Sequence, residues 1–229
     1  MRRAPGRLIL LVQALFALVV VTACQGGGDD KGEPPKFDPA QTLKQSAQAM
    51  AGLKSIGFTL ATEGRPPVPV SGGDMKLLKS GDAEGALQLE QSGQKVEMKI
   101  VALGDSIYIK GVTGGWRKVS KMVAAALYDP SAVLDPNRGI SRLLGAVQSP
   151  RAEATEKVNG KDAHRVAVKL PQAAIAGLVP GITSDLDGQV WVSTADHRLL
   201  KVRGTMSGGG AVIINFTEFD APYKISAPA

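Results

Sequence analysis

The chain has few of the side chains that form disulfides, metal centres and many active sites. Its 229 residues include one cysteine, Cys24, and two histidines, His164 and His197. A single thiol forms no intramolecular disulfide, and a lone histidine in a strand or a turn is usually structural or solvated. The sequence also has no glycine-rich phosphate loop, nucleophile elbow or HExxH motif. We therefore expect a non-enzymatic protein with no catalytic residue, no metal site and no cofactor.

Aromatic residues are scarce, whereas aliphatic residues are abundant. Aromatics make up 4% of the chain and hydrophobic residues 44%, so Ile, Leu, Val and Met supply most of the apolar surface. Two interpretations fit this composition. The aliphatic side chains fill an ordinary core, or they line an apolar cavity suited to acyl chains. Periodicity alone does not distinguish them.

The basic balance is modest once the N-terminus is set aside. The chain carries 27 Lys and Arg against 21 Asp and Glu, a net charge of +6. Residues 1–23 contribute three arginines and no acid, which leaves 24 basic against 21 acidic residues, or +3. No dense basic block with interleaved aromatics is present, so we expect no nucleic-acid partner. A mild positive charge suits a protein at an anionic membrane surface.

The N-terminus has the pattern of an exported, lipid-modified protein. Arg2, Arg3 and Arg7 precede an apolar run over 8–21, and Val21-Thr22-Ala23-Cys24 follows. This pattern resembles the lipobox of bacterial lipoproteins. It predicts a signal peptide over 1–23 and a diacylglyceryl group, with acyl chains such as palmitate, on Cys24. The anchor would hold the protein on the extracytoplasmic face of the cell membrane. The alternative is an ordinary signal peptide or anchor helix with a cysteine by chance.

The mature chain divides into a tether and a folded domain. Residues 24–37 are rich in Gly, Pro and charge and have little to bury, so we expect a flexible tether. Residues 38–229 form the predicted domain. Asp38 suits an N-cap and Pro39 the first helical position, and a helix is expected up to Gly52.

Beyond Lys54 the apolar period changes from 3.6 to 2, which predicts short antiparallel strands. We expect turns at Gly72-Gly73, Ser80-Gly81-Asp82, Ser92-Gly93, Gly104-Asp105, Asn159-Gly160, Asp196-His197 and 208–210. Asp135-Pro136 is the predicted cap of a second helix, whose apolar stripe is Ile140, Leu143, Leu144 and Val147 and whose end is Pro150. A short helix over 171–179 and an edge strand over 223–225 complete the prediction. Nine to eleven strands with two or three helices indicate an α+β fold.

One segment and its neighbours carry a family resemblance. Residues 128–140 (YDPSAVLDPNRGI), followed by Leu143-Leu144, resemble the YDP…VL-(N/D)-P…GL…VL segment of the LppX/LprG (LppX_LprAFG) family of mycobacterial and related actinobacterial lipoproteins. Other pieces occur in the family's order: Leu53-Lys54-Ser55, Gly104-Asp105 with Tyr108, Trp116, Glu156 to Asn159-Gly160, Val190-Trp191-Val192 and 196–199. The set favours the LprG side of the family.

The resemblance implies a single strongly curved antiparallel half-barrel with helices on its concave face, similar to the LolA/LolB lipoprotein carriers. It implies an apolar cavity for the acyl chains of triacylglycerols, lipoglycans or wax-type lipids. The cavity candidates are the inward members of the alternating strands and one helix stripe: Phe58, Leu60, Leu87, Leu89, Val96, Met98, Ile100, Leu143, Leu144 and Val147.

Two functions follow from these observations. The first is a membrane-anchored carrier that moves acylated lipids through the cell envelope. The second is a structural or interaction lipoprotein with a filled core, which assembles with an envelope lipid exporter or cell-wall machinery. An enzyme would need a polar pocket with positioned acids or a histidine, and the sequence indicates none.

Overall fold

The computed structural model describes residues 35–91, 93–120, 122, 130–175, 178, 182–206 and 209–229. The predicted signal peptide, Cys24 and nearly all of the predicted tether lie outside these residues. Residues 35–229 belong to one compact unit.

The described part of the chain contains eleven strands, three α-helices and a short 3₁₀ helix. The helices are α1 (Pro39–Ala51), α2 (Ile140–Ala146) and α3 (Gln172–Ile175), and the 3₁₀ helix is Pro130–Ala132. The strands are β1 (Ser55–Glu63), β2 (Val70–Leu78), β3 (Ala83–Gln91), β4 (Gln94–Leu103), β5 (Ser106–Lys110), β6 (Arg117–Ser120), β7 (Gln148–Val158), β8 (Lys161–Leu170), β9 (Leu186–Ser193), β10 (Leu199–Thr205) and β11 (Ala211–Phe219).

All eleven strands of this described part lie in one antiparallel sheet, in the order β6-β5-β4-β3-β2-β1-β11-β10-β9-β8-β7. Two meanders, β1–β6 and β7–β11, are joined where β1 pairs with β11. We call them the first and second wings. The sheet is curved and open between β6 and β7, as predicted for a curved antiparallel sheet of nine to eleven strands.

Helix α1 forms where its cap and its apolar stripe predict. Asp38 Oδ1 accepts hydrogen bonds from the backbone N–H groups of Ala40 (2.8 Å) and Gln41 (3.1 Å), and Pro39 occupies the first turn. Leu43 and Met50 are each 2% exposed. The helix ends before Gly52, so the predicted boundaries are confirmed.

The helices pack on one face of the sheet. Helix α1 lies against α2, and the Ser141 hydroxyl donates to the Ala47 carbonyl at 2.7 Å. One turn further along α1, the Met50 thioether sulfur accepts from the Leu199 backbone N–H at 3.4 Å. We call the face that carries the helices the inward face.

The start and end of α2 differ from the prediction. Asp135 caps a turn, since its Oδ1 accepts from the Asn137 N–H at 2.8 Å, while Gly139 is the N-cap of α2. A Cβ at Gly139 would overlap the carbonyls of Ala132 and Val133, so only glycine fits where the chain reverses into α2. The helix ends at Ala146, and Pro150 lies inside β7.

Three further predictions are corrected or limited. Gly72-Gly73 lie within β2, where Gly73 pairs with Leu60 and Leu87 in place of forming a turn. Residues 223–225 form no strand among the described residues. The predicted helix over 171–179 is described only as α3, because part of that range lies outside the described residues.

The predicted hairpin turns are present at several positions. Asn159 and Gly160 have φ of 49° and 79°, the left-handed pair of a two-residue hairpin, and His197 has φ of 57°. Gly104 has φ of 54° between β4 and β5.

The core lies between the inward face and the helices. We call the following buried residues the main apolar cluster: Leu43, Met50, Leu53, Ile56, Leu77, Ala83, Ala102, Ile107, Val133, Leu134, Ile140, Leu143, Leu144, Val166, Val168, Leu170, Ile175, Ile182, Leu186, Val190, Val192, Leu199, Val202, Met206, Val212 and Phe216. A smaller cluster, the outer cluster, consists of Val158, Ala163, Trp191 and Leu200.

Candidate functional site

The β3–β4 hairpin separates apolar from polar side chains onto opposite faces. On β3, Leu87 and Leu89 alternate with Gln88 and Glu90, and on β4 the apolar residues Val96, Met98 and Ile100 alternate with Lys95, Glu97 and Lys99. The register pairs Leu87 with Met98 and Leu89 with Val96, so these residues share one face. Gln88 pairs with Glu97 on the other.

The apolar face continues across β2, β1 and β11. Phe58 pairs with Met75 on β2 and with Phe216 on β11, and Leu60 pairs with Ile214. Because Leu60, Gly73 and Leu87 follow one another across three strands, the predicted strand residues lie on the same face as the main apolar cluster.

Two glycines let neighbouring strands approach closely on this face. A Cβ at Gly73 would overlap the Ala86 carbonyl, and a Cβ at Gly85 would overlap the Asp74 carbonyl and lie 2.5 Å from the Met75 sulfur. Gly73 also has φ of +152°. Glycines inside strands mark bends or close backbone approach, which agrees with a curved sheet.

Burial changes along the first wing. At the base end, where β2 joins β3 and β4 joins β5, Ile56, Leu77, Ala83 and Ala102 are 0–2% exposed. The opposite end, where β1 joins β2, β3 joins β4 and β5 joins β6, we call the rim end. There the inward side chains of Leu60, Leu87, Leu89, Val96 and Met98 are only half-buried.

The second wing is covered at its own rim end. Leu170 and Leu186 are 0% and 3% exposed there, and they pack in the main apolar cluster with Ile175 of α3 and Ile182. In the described part of the first wing, the half-buried inward side chains of β3 and β4 lie at the rim end, and this surface is the candidate site.

The ten predicted residues divide into two groups. Leu143 and Leu144 belong to the main apolar cluster, and Phe58, Leu60, Ile100 and Val147 are half-buried against it. The other four, which are Leu87, Leu89, Val96 and Met98, do not contact that cluster as the described residues define it. They extend the apolar face beyond the core.

Sequence reasoning missed several residues of the same face. Met75, Ile109, Ile214 and Phe216 lie beside the predicted ones. Met75 was missed because Gly72-Gly73 of β2 were predicted to form a turn. Phe216 and Ile214 alternate regularly in β11, but nothing in the sequence shows that β11 pairs with β1.

The described part of the chain has surface depressions at its rim end and on α1. One, of about 410 Å³, lies at the rim end and is lined by Thr62, Gly64, Arg65, Pro66, Pro67, Val68, Pro69, Val70, Ser71, Glu90 and Gly93. The other, of about 480 Å³, lies on the solvent side of α1 and is lined by Ala40, Gln41, Lys44, Gln45 and Gln48. Neither is lined by a predicted lipid-binding residue.

His164 packs against an aromatic ring. His164 stacks on Phe37 with ring centroids 4.0 Å apart, and its Nδ1 lies 3.0 Å from Thr155 Oγ1. Burial lowers the pKa of His164, and the nearby His197 lowers it further. Within the described residues, no group of three or more His, Cys, Asp or Glu side chains could hold a metal ion. No helix there has the length and apolarity to cross a bilayer.

An open curved antiparallel sheet, with an apolar inward face that helices cover only in part, defines the architectural class of this protein. The sequence profile of the LppX_LprAFG lipoprotein family matches residues 38–225, and the chain belongs to that family. The predicted resemblance is confirmed.

Relatives and solved structures agree with this placement. The chain is 26% identical to the lipoarabinomannan carrier protein LprG of Mycolicibacterium smegmatis over 95% of this chain and 96% of that protein. It is also 26% identical to LprG of Mycobacterium tuberculosis, over 99% and 97%. The crystal structure of LprF from Mycobacterium bovis superimposes with a TM-score of 0.74 at 22% identity, over 86% of this chain and all of that one. The lipoprotein LppX from M. tuberculosis gives 0.63 at 21% identity, over 83% and 100%.

Proposed function

We propose that this protein is a lipid-anchored carrier that binds the acyl chains of envelope lipids on its inward face and moves them through the cell envelope without catalysing a reaction. The observation that carries the proposal is the change in burial along the first wing. One continuous apolar face is closed at the base end and half-open at the rim end.

The energetics favour an alkyl ligand at this surface. Each CH₂ removed from water contributes about 0.8 kcal/mol, so ten methylenes contribute about 8 kcal/mol before the costs of ordering the chain. Leu87, Leu89, Val96 and Met98 offer only aliphatic groups and a thioether, which conform to chains of varied shape. The head group of such a lipid would stay at the rim end.

The relatives support the class of cargo. The LprG proteins are named lipoarabinomannan carriers, and lipoarabinomannan by its name is a lipoglycan. We propose acylated lipoglycans, triacylglycerols and wax-type lipids as the ligand class for this chain.

The N-terminus completes the proposal. A lipid on Cys24 and a tether over 24–37 would keep the domain within reach of the bilayer that supplies the cargo. We propose an envelope lipid exporter as the protein partner.

One observation favours the second function, an interaction lipoprotein with a filled core. Leu143 and Leu144 are 7% and 2% exposed and pack within the main apolar cluster of the described residues. A protein with a filled interior of this kind would hold no lipid and would bind exporter or cell-wall proteins through its surface.

Co-purified lipid distinguishes the two functions. Residues 1–229 are expressed in an actinobacterial host and examined by native mass spectrometry for non-covalently bound lipid, and delipidated protein is then offered labelled triacylglycerol. A carrier retains lipid and takes up the label. Protein that is free of lipid and also fails to take up the label would overturn the proposal.

A matched pair of variants assigns the uptake to the inward face. Leu87→Asn with Met98→Asn alters a cross-strand pair on that face, whereas Gln88→Asn with Glu97→Asn alters the neighbouring pair on the opposite face. We expect the first pair of substitutions to abolish most of the uptake and the second to leave it unchanged.

A further inference from the structure

The β5–β6 hairpin ends in a loop that leaves apolar side chains in solvent. Val112 is 70% exposed, and Trp116, which precedes β6, is half-buried. Neither packs in the two apolar clusters of the described residues. A valine and a tryptophan at a loop tip are costly to expose and are typical of side chains that enter an interface.

The hairpin is also positively charged along its whole length. Residues 106–120 carry Lys110, Arg117 and Lys118 and no acidic residue. Among the described residues, no carboxylate lies within ion-pair distance of these three cations, although Lys118 lies 5.7 Å from the Tyr108 ring centre.

The neighbouring strand adds a further cation. Lys99 of β4 lies directly opposite Lys110 of β5, an arrangement that is unfavourable in a sheet unless an anionic partner is near. Glu97 Oε1 lies 3.9 Å from Lys99 Nζ, and among the described residues no carboxylate lies within ion-pair distance of Lys110.

The register places this tip beside the candidate site. Because Ile100 pairs with Ile109 and Lys99 with Lys110, the loop after Lys110 extends toward Met98 and the rim end. A surface that receives the loop therefore also faces the half-open part of the inward face.

We propose that the β5–β6 loop docks on an anionic lipid bilayer. Val112 and Trp116 enter the interfacial region, where tryptophan is favoured, while Lys110, Arg117 and Lys118 contact the phosphates of anionic head groups. The inference rests on the proposed carrier function and gives it an orientation: the rim end faces the membrane and cargo enters there. The docking is separate from the N-terminal anchor, which limits distance but not orientation.

Tryptophan quenching by brominated lipid tests the contact. Residues 1–229 are expressed in an actinobacterial host and reconstituted into phosphatidylcholine vesicles with or without phosphatidylglycerol. A neutral lipid carries the bromines in both kinds of vesicle. We expect about twofold quenching of the Trp116 emission in anionic vesicles and little in neutral ones. Trp191 is only 4% exposed and provides the background. Trp116→Phe should remove the quenching.

Charge reversal tests the electrostatic part. Lys110→Glu with Arg117→Glu should lower the docking equilibrium constant in anionic vesicles by about fivefold or more for each cation lost. Lys54→Glu with Lys79→Glu, at the base end, serves as the matched control and should change nothing. Lys118 is left in place because it lies over Tyr108.

The outcomes separate this proposal from the carrier function. Equal emission changes in the wild-type protein and in Trp116→Phe, or quenching that is independent of phosphatidylglycerol, overturn the docking. If the β5–β6 loop binds a protein instead of the bilayer, the emission changes of the wild-type protein and of Trp116→Phe should be equal. Lipid that co-purifies with an undocked protein leaves the carrier function standing, whereas docking without any bound lipid removes the carrier function alone.

Discussion

Leu89 shows how one position on the inward face distinguishes an open site from a filled core. It lies opposite Val96, is half-buried, and does not contact the main apolar cluster of the described residues. Leu144, by contrast, is 2% exposed within that cluster. A larger side chain at Leu89 has open space to occupy, whereas one at Leu144 would displace packed neighbours.

Leu89→Trp should therefore block lipid binding without unfolding the protein. We expect the uptake of labelled triacylglycerol to fall strongly and the free energy of unfolding, measured in urea, to change by less than about 1 kcal/mol. Gln88→Trp on the opposite face is the control and should affect neither. A loss of about 1–3 kcal/mol for Leu89→Trp, as overpacking causes, would indicate a filled interior.

His164 gives the fold a pH dependence. Because burial and His197 lower its pKa below the usual value of about 6.5, the folded state favours the neutral ring. Its contribution to stability is present above that value and is lost as the pH falls through the lowered folded-state pKa.

His164→Phe should flatten this dependence while retaining a ring against Phe37. We expect the urea midpoint of the wild-type protein to fall between about pH 7 and pH 5 more steeply than that of the variant. Parallel curves for the two proteins would contradict the assignment to His164.

The face of each side chain was predictable from sequence, but its burial was not. The alternation of Leu87 and Leu89 with Gln88 and Glu90 indicates one apolar face on any sheet. Whether that face is covered depends on where α2 and α3 pack, which no local pattern contains. For that reason Leu143 and Leu87 were both predicted to line the cavity, although Leu143 is buried in the structure and Leu87 is only half-buried.

At the scale of elements, α1 provides part of the cover of the inward face. Its Asp38 cap satisfies two backbone N–H groups that would otherwise lack partners, and Met50 and Leu43 fix its apolar side. The helix also holds α2 through the hydrogen bond from Ser141 to Ala47.

Asp38→Ala should destabilise the domain by about 0.5–2 kcal/mol, because the cap hydrogen bonds are lost. Asp38→Asn retains the acceptor oxygen and should keep most of the stability. Urea denaturation followed by circular dichroism measures both. Equal destabilisation by the two substitutions would show that the cap is not the cause.

Elements with strong local signals were predicted well, and those shaped by distant contacts were not. The cap of α1 and the Asn159-Gly160 turn are encoded within a few residues. The two glycines of β2 resemble a turn locally, yet Gly73 is required inside the strand because Leu60 and Leu87 flank it across the sheet. Likewise the start of α2 is set by Gly139 against the 3₁₀ helix, three residues after the proline that suggested an earlier cap.

At the scale of the molecule, the opening of the sheet between β6 and β7 gives the two wings different surroundings. Ile175 and Ile182 help to cover the second wing at its rim end, whereas the described inward side chains at the rim end of the first wing are only half-buried. The number of strands was predictable from alternation and turns. The asymmetry between the wings was not, because it arises from the pairing of β1 with β11 and from the helices that follow.

A crystal structure of the protein, expressed in an actinobacterial host and purified without delipidation, tests the central claim most directly. We predict an acyl chain in van der Waals contact, within about 4 Å, of Leu87, Leu89 and Met98 on the inward face. The chain would lie between the first wing and α2, with its head group at the rim end. An inward face filled by the protein's own side chains, with no lipid against these residues, would contradict the account.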